Sequence, residues 1–441
     1  MASCLVSRFG HLGMVSASWD CHSRAAGMLE RASVGVFSLI SRGVSLRSKA
    51  AGGAHGFGFG ALVCNLMLSH DVAGENLFEP GLSAGRTSDC GEEGLWSVVI
   101  PTYNRLPILR KCLQALEEQE GYERSGIREY EVVVVDDGST DGTLEFLQVG
   151  QSHDGVFSSG DLGEGGCVTS QVFPHAKVIR QQHGGATRAR NLGVRQAGGA
   201  VIVFIDSDLV VTEDFLREHG AALSEAQAEH GDDCTFTYGR VVNTANFENP
   251  KSEKFKLTDN SAAFFATGNV ALSRRLLVKA GNLLKSGYDG PFDADFSEYG
   301  WEDLELGVRL KQVGARIKHV PLAVGYHWHP AFSMDQIPKL IDQERQRGRN
   351  GVRFFLKHPN LDVRLMTQLT PLHEGLWFLL TLGGLLNEKT LSPILVLLVA
   401  AGHPGLAAGL LSPTLNWHTV QASKEEVLRL KQQGKFVKRE L

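Results

Sequence analysis

The sequence predicts an α/β fold: a mixed, mainly parallel sheet flanked by helices, followed by a C-terminal helical extension. Three observations predict it. The runs Ser97–Ile100, Glu131–Val135 and Val201–Ile205 are apolar, β-branched and unalternating, as strands covered on both faces are. Segments with apolar residues at helical spacing separate them, which gives the strand–helix order of a parallel sheet. The second and third runs stop at acidic residues, Asp136-Asp137 and Asp206-Ser207-Asp208, at the strand ends where such sheets bind ligands.

Each element has a local reason. The first strand starts near Trp96 and is stopped by Pro101. Asn104 is placed to cap the next helix, which has Pro107 near its start and Leu109, Cys112, Leu113 and Leu116 on one face. Asp141 is placed to cap a helix over Thr143–Gln148. Residues 150–170 are Gly/Ser-rich and aperiodic, so a loop insertion is expected there. A short strand at Val178-Ile179 and a helix at Ala186–Gln196 lead to the run at Val201–Ile205. Glu302 and Asp303 open a helix whose Glu305 and Arg309 are expected to pair on the surface. A strand-like run from Val320 ends in His327-Trp328-His329.

Composition narrows the function classes. Of 441 residues, 43% are hydrophobic and 21% charged, with net charge −5, which excludes wholesale disorder, collagen and a many-pass transporter. No global positive field exists, so nucleic acid is not an expected partner. The seven cysteines contain no CxxC, against a disulfide framework or structural zinc and in keeping with a reducing compartment.

Residues 1–94 read as a leader. The first seventy hold only two acids, Asp20 and Glu30, with scattered arginines and serines, as an organelle transit peptide does. A plastid or mitochondrial address is expected, with a disordered leader or a mistaken start codon as alternatives. The catalytic domain is expected at 95–332, with a nucleotide-binding half (95–210) and an acceptor half (211–332).

Residues 333–441 form the extension. Residues 335–358 predict an amphipathic helix, with Ile337, Ile341, Val352 and Phe355 opposite Arg345, Arg347, Arg349, Arg353 and Lys357, whose basic face meets solvent or a membrane surface. The apolar stretch Gly375–Leu386 is too short to cross a ~30 Å hydrocarbon core, and Leu391–Leu411 is interrupted by Pro393 and Pro404. Interfacial association or a re-entrant hairpin is expected, with a buried helical subdomain as the alternative.

The acids carry the chemistry. Asp136 and Asp137 repel each other unless a cation or donor is bound. The segment from Asp137 mimics an EF-hand loop, but Gln148 stands where its bidentate Glu is needed, so calcium is rejected. In Asp206-Ser207-Asp208 one carboxylate can accept from ribose and the other ligate a hard cation, Mn²⁺ or Mg²⁺. Arg188 and Arg190 follow Gly184-Gly185 into a helix, where a diphosphate is favoured, although a solvated face explains them equally well. Gly268 and Asn269 allow close backbone approach to a ligand. Asp303, with Glu302 beside it, can act as a base toward an acceptor hydroxyl, and Trp301 before them is expected to contact the nucleotide-sugar. His327 and His329 share one strand face, and one of them can join Asp208 on a cation.

These pieces, in this order, resemble a known family. VVIPTYNR (98–105), VVVVDDGSTDGT (132–143), GGATRARNLGV (184–194), FIDSD (204–208), TGNVALSRR (267–275) and YGWEDLELGVRL (299–310) resemble family 2 glycosyltransferases of the GT-A fold. The last two, with the histidine beyond them, also look like galactosyltransferase-type domains. The resemblance implies a nucleotide-sugar donor, usually a UDP-sugar, with a glycan, lipid or protein acceptor. It implies Pro101, Tyr103 and Arg105 along the nucleoside pocket, Asp136 at the base and Asp206 at ribose. It further implies Asp208 and His327 at the metal, with His329 second, and Asp303 as catalytic base of an inverting displacement. A nucleotidyl- or phosphoglycosyl-transferase, or a non-catalytic sugar-binding protein, is the alternative.

Overall fold

In the computed structural model, residues 91–149, 167–256, 259, 263–284 and 290–434 are described. The leader reading, apart from residues 91–94, and residues 150–166 of the expected loop insertion lie outside them. The strands are β1 (Glu92–Thr102), β2 (Glu129–Asp136), β3 (Cys167–Thr169), β4 (Ala176–Arg180), β5 (Gly199–Ile205), β6 (Leu209–Val211), β7 (Thr235–Thr244), β8 (Asn269–Ser273) and β9 (Arg316–Trp328). They form one sheet in the order β3-β4-β2-β1-β5-β8-β7-β9-β6.

The β-branched runs set its centre. β4, β2, β1 and β5 are parallel neighbours, with Val98 opposite both Val132 and Val203. Val98, Val99, Val133 and Val203 have no exposed surface, because helices cover both faces. β8 then runs antiparallel to β5 and β7, and β9 runs parallel to β7. β1 starts at Glu92, inside the segment read as leader, and Cys167–Thr169 adds an antiparallel edge strand where only loop was expected.

Helices α1 (Leu106–Glu117), α2 (Thr143–Val149), α3 (Ala186–Gln196), α4 (Phe215–His230), α5 (Arg274–Gly281) and α6 (Glu302–Gln312) flank the sheet. Asn104 does not cap α1. It takes a left-handed φ of 51° and its Oδ1 accepts from the Thr140 amide at 2.7 Å. The amide of Leu106 is satisfied instead by Asp141 Oδ2 at 2.9 Å, while Asp141 Oδ1 accepts from the Thr143 amide at 3.2 Å. One carboxylate thus serves the first turns of α1 and α2.

The expected surface pair Glu305–Arg309 is buried, with each side chain 2% exposed. That face of α6 turns inward, and the guanidinium also donates to the carbonyls of Ala280 (2.8 Å) and Pro291 (2.7 Å). Spacing of i,i+4 brings the charges together but carries no information on burial.

The extension contains α7 (Ile337–Lys357), α8 (Leu361–Met366), α9 (Pro371–Leu380), α10 (Glu388–Ala400) and α11 (Pro404–Gln432). The basic face of α7 meets the catalytic domain more than solvent. Arg349 pairs with Glu298 at 3.0 Å, and Lys357 contacts Asp293 and Asp295 at 2.6 Å each. The apolar run 391–411 is broken by a turn at Ala401–His403, where Gly402 has φ 77° and Pro404 opens the next helix. Among the described residues no helix is long and apolar enough to cross a membrane. Phe378, Leu382, Leu385, Ile394, Leu397 and Leu406 are exposed.

Arg309→Met leaves the Glu305 carboxylate buried without its main counter-charge. Chemical denaturation is expected to record a loss of roughly 3–5 kcal/mol; a change below about 1 kcal/mol would mean the pair is worth no more than a surface one.

Candidate active site

The carboxyl ends of β1, β2 and β5 form one edge, with Thr102 opposite Asp136. Asp136 is fully buried there. Its Oδ1 accepts from the Ser139 amide at 3.0 Å, while Oδ2 meets no hydrogen-bond partner among the described residues. Burial pushes its carboxyl up from the ordinary range, outweighing the Ser139 bonds.

Asp137 has a different task. Its carboxylate accepts from Gln181 Nε2 (2.6 Å) and from the amides of Gly184 (2.8 Å) and Gly185 (2.9 Å), with His183 Nδ1 also at 2.9 Å. These bonds hold the turn before α3, where Gly185 has φ 88°. The His183 ring stacks on Tyr103 at 4.2 Å between centroids, so Tyr103 stands as a partly exposed aromatic platform beside the edge.

The third strand end carries the densest charge. Arg190 is buried on α3 and reaches Asp206 Oδ1 at 3.0 Å and Glu302 Oε1 at 3.1 Å. It therefore ties the end of β5 to the first turn of α6. Burial pushes the Asp206 carboxyl up, but Arg190, His327 and Arg105 together hold it below the ordinary range. Asp208, 2% exposed, contacts Arg105 through Oδ2 and His327 Nε2 through Oδ1, the latter at 3.0 Å. His327 Nδ1 lies 3.1 Å from His329 Nε2. This geometry follows from register, because β6 pairs with β9 so that Leu209 faces His327.

At the start of α6, Asp303 Oδ1 accepts from the Leu304 amide at 2.9 Å. Burial and the adjacent Glu302 charge push its carboxyl up to about 6, against the pull of Arg190. Glu302 Oε2 is buried with no partner among the described residues.

The structure brings together Asp206, Asp208, Arg190, Arg105, Glu302, Asp303, His327 and His329 through this network of contacts and fields. Pro101 is half-buried at the same strand edge, and a side chain at Gly268 would begin 3.5 Å from Asp206 Oδ2. Arg188 is exposed on α3. Two expectations are corrected. The Asn269 side chain is fully buried, donating to the carbonyls of Arg240 and Ala323 at 3.0 Å each and contacting His219 Nε2 at 2.8 Å, so it braces the sheet. The Trp301 indole is turned away from the strand edge and donates to the Arg347 carbonyl at 2.7 Å, packing against α7. His183 and Gln181 escape sequence reading, because only contact with Asp137 distinguishes them from ordinary loop residues.

Asp208, His327 and His329 offer ligand atoms within 4.8 Å of one another. The 3.0 Å between Asp208 Oδ1 and His327 Nε2 suits two ligands at roughly a right angle on one cation with ~2.1 Å bonds. A carboxylate with imidazoles is an oxygen-and-nitrogen set suited to a divalent cation such as Mn²⁺ or Mg²⁺, and its three ligand atoms fall one short of a closed four-coordinate zinc site.

Comparison with known proteins gives the family of residues 97–280. Residues 97–280 match the family described as glycosyl transferase family 2. Residues 97–280 thus carry a family 2 glycosyltransferase domain, and the glycosyltransferase names of the relatives support a transferase enzyme. It is 28% identical over 271 residues to chondroitin synthase of Escherichia coli, covering 53% of this chain and 34% of that protein. It is 26% identical over 336 residues to an uncharacterized glycosyltransferase, YfnE, of Bacillus subtilis, covering 63% of this chain and 79% of that one. The chain therefore spans only about a third of the chondroitin synthase it matches. Among solved structures, a mannosyltransferase from Pyrobaculum calidifontis with GDP-Man and Mn²⁺ aligns at TM-score 0.41 and 20% identity, covering 79% of this chain and 90% of that one.

With a carboxyl held near 6, Asp303 is charged at neutral pH and neutral in acid. A neutral carboxyl cannot accept a proton. The rate of sugar transfer at saturating substrates is expected to fall as pH drops through about 6, approaching tenfold per pH unit. A flat profile from pH 5 to 8 (about the range histidine would span) would contradict the role.

Proposed function

We propose that residues 95–332 transfer a sugar from a nucleotide-sugar, by preference a UDP-sugar, to an acceptor hydroxyl with inversion at the anomeric carbon. The observation that carries this reading is the Arg190 bridge, which joins the Asp206 end of β5 to the Glu302-Asp303 turn of α6. A donor-binding edge and a proton acceptor thereby belong to one site. The relatives support the same reaction class, one being a polysaccharide synthase and the other a glycosyltransferase.

In this reading the base of the nucleotide lies by Tyr103, and an N–H of the base meets the Asp136 Oδ2 atom that has no partner among the described residues. Asp206 accepts from a ribose hydroxyl. Asp208 and His327, with His329 next to His327, would hold Mn²⁺ or Mg²⁺, which when bound supplies positive charge beside the diphosphate. Asp303 takes the proton of the acceptor hydroxyl as its oxygen forms the bond to the anomeric carbon. The bond to the diphosphate oxygen breaks on the opposite face, and the nucleoside diphosphate leaves. General-base assistance of this kind contributes typically ~10²–10⁴-fold. Glu302, neutralised in part by Arg190, keeps Asp303 basic and is not itself needed as the acceptor.

A panel of nucleotide-sugars scored for release of the nucleoside diphosphate, with and without Mn²⁺, tests the donor. UDP-sugars are expected to turn over, EDTA to abolish the signal and added Mn²⁺ to restore it. Full activity in EDTA would remove the cation from the account. In the same assay Asp303→Asn is expected to lose about 10²–10⁴-fold in turnover while UDP still binds by calorimetry. Near-normal turnover in that variant would show that the proton goes elsewhere.

A further inference from the structure

We propose that helix α7, which lies beyond the family-matched segment, is a working part of the catalytic centre, with Asn350 as the positioning residue for the turn that carries Asp303. The inference rests on reading Asp303 as the base. It starts from a backbone anomaly. Gly300 and Trp301 both take left-handed conformations, with φ of 91° and 79°. For a tryptophan this is uncommon and persists only when the surroundings hold it. Trp301 is also the residue that opens α6, so its conformation sets the direction in which Glu302 and Asp303 leave the turn.

What holds it comes from α7. Asn350 is fully buried, and its Nδ2 donates to the carbonyls of Glu298 (2.9 Å) and Gly300 (3.3 Å). Its Oδ1 accepts from Arg353 at 2.9 Å, which fixes the amide so that the donors face the turn. One helical turn earlier, Gln346 Oε1 accepts from the Tyr299 amide at 2.9 Å. The Arg347 carbonyl accepts the Trp301 indole N–H at 2.7 Å, and the Arg347 guanidinium lies 5.4 Å over the indole ring. A Cβ on Gly351 would stand 3.4 Å from Trp301 Nε1, so the backbone of α7 lies close against the indole. Three backbone groups of the turn, the Tyr299 amide and the carbonyls of Glu298 and Gly300, therefore find side-chain partners on α7. These bonds reach the turn that leads to Asp303 and make no direct contact with the strand edge that faces the nucleotide.

The prediction separates positioning from general folding. Asn350→Asp puts a carboxylate against two carbonyls, and Trp301→Phe keeps a ring but removes the N–H donor. Both are made in the full chain beside wild type and Asp303→Asn. Turnover in the two variants is expected to fall about 10- to 100-fold. UDP affinity by calorimetry should stay within about two-fold, and the acid limb of the pH–rate profile should move away from its position near 6. Turnover within about two-fold of wild type in Trp301→Phe, or loss of UDP affinity in step with turnover, would overturn the proposal. If Asn350→Asp does not fold, Trp301→Phe decides alone. An active Asp303→Asn would instead defeat the underlying reading of the base, which keeps the two failures distinct.

Discussion

The buried guanidinium of Arg190 is the contact on which the site depends. It lies between Asp206 at the end of a parallel strand and Glu302 at the start of a helix almost a hundred residues further along the chain. Without a cation there, three carboxylates would face one another in a poorly hydrated space, and burial would favour their neutral forms. With it, Asp206 stays charged and can accept hydrogen bonds, while Asp303, farther from the cation and beside Glu302, is left with a raised pKa. One charge placement thus produces two kinds of carboxylate. That division suits a donor-binding group and a proton acceptor in adjacent positions.

A second constraint comes from the sheet. The parallel strands β2, β1 and β5 deliver Asp136 and Asp206 to one edge, and the antiparallel pairing of β6 with β9 brings His327 back beside Asp208. The mixed half of the sheet is therefore not an appendage to a nucleotide-binding half; it supplies the histidines. The fully buried His219–Asn269 contact, with Asn269 also bonded to backbone on both sides, fastens that mixed half internally. Burial holds His219 down at about 4, so it stays neutral across the physiological range.

Much of this was legible in the sequence because the signals are local. A β-branched run ending in Asp states both a buried strand and a carboxylate at its end, and these strands and acids fall where the pattern put them. Asp208 and His327 also meet as a pair through the β6–β9 register, and His329 joins them because a strand places alternate residues on one face. What stayed hidden depends on partners distant in sequence. Asn269 reads as a small turn residue, but its amide is enclosed by β7 and β9. Glu305 and Arg309 show the spacing of a surface pair, and nothing local reveals that α5 and the 290–292 segment cover them. The arginines of α7 read as a solvated or lipid-facing stripe because the turn they grip, with Trp301 in it, is some fifty residues away. Helical periodicity tells that a face is polar; it does not tell what meets it.

Chain segments on either side of Arg190 are expected to form one donor-and-base site. Crystals grown with Mn²⁺ and UDP, measured at a wavelength where manganese scatters anomalously, test it most directly. One anomalous peak is expected within bonding distance of the Asp208 carboxylate and the His327 imidazole, with the diphosphate on the side facing Asp303. A peak elsewhere on the molecule, or UDP bound with its diphosphate directed away from Asp303, would contradict it.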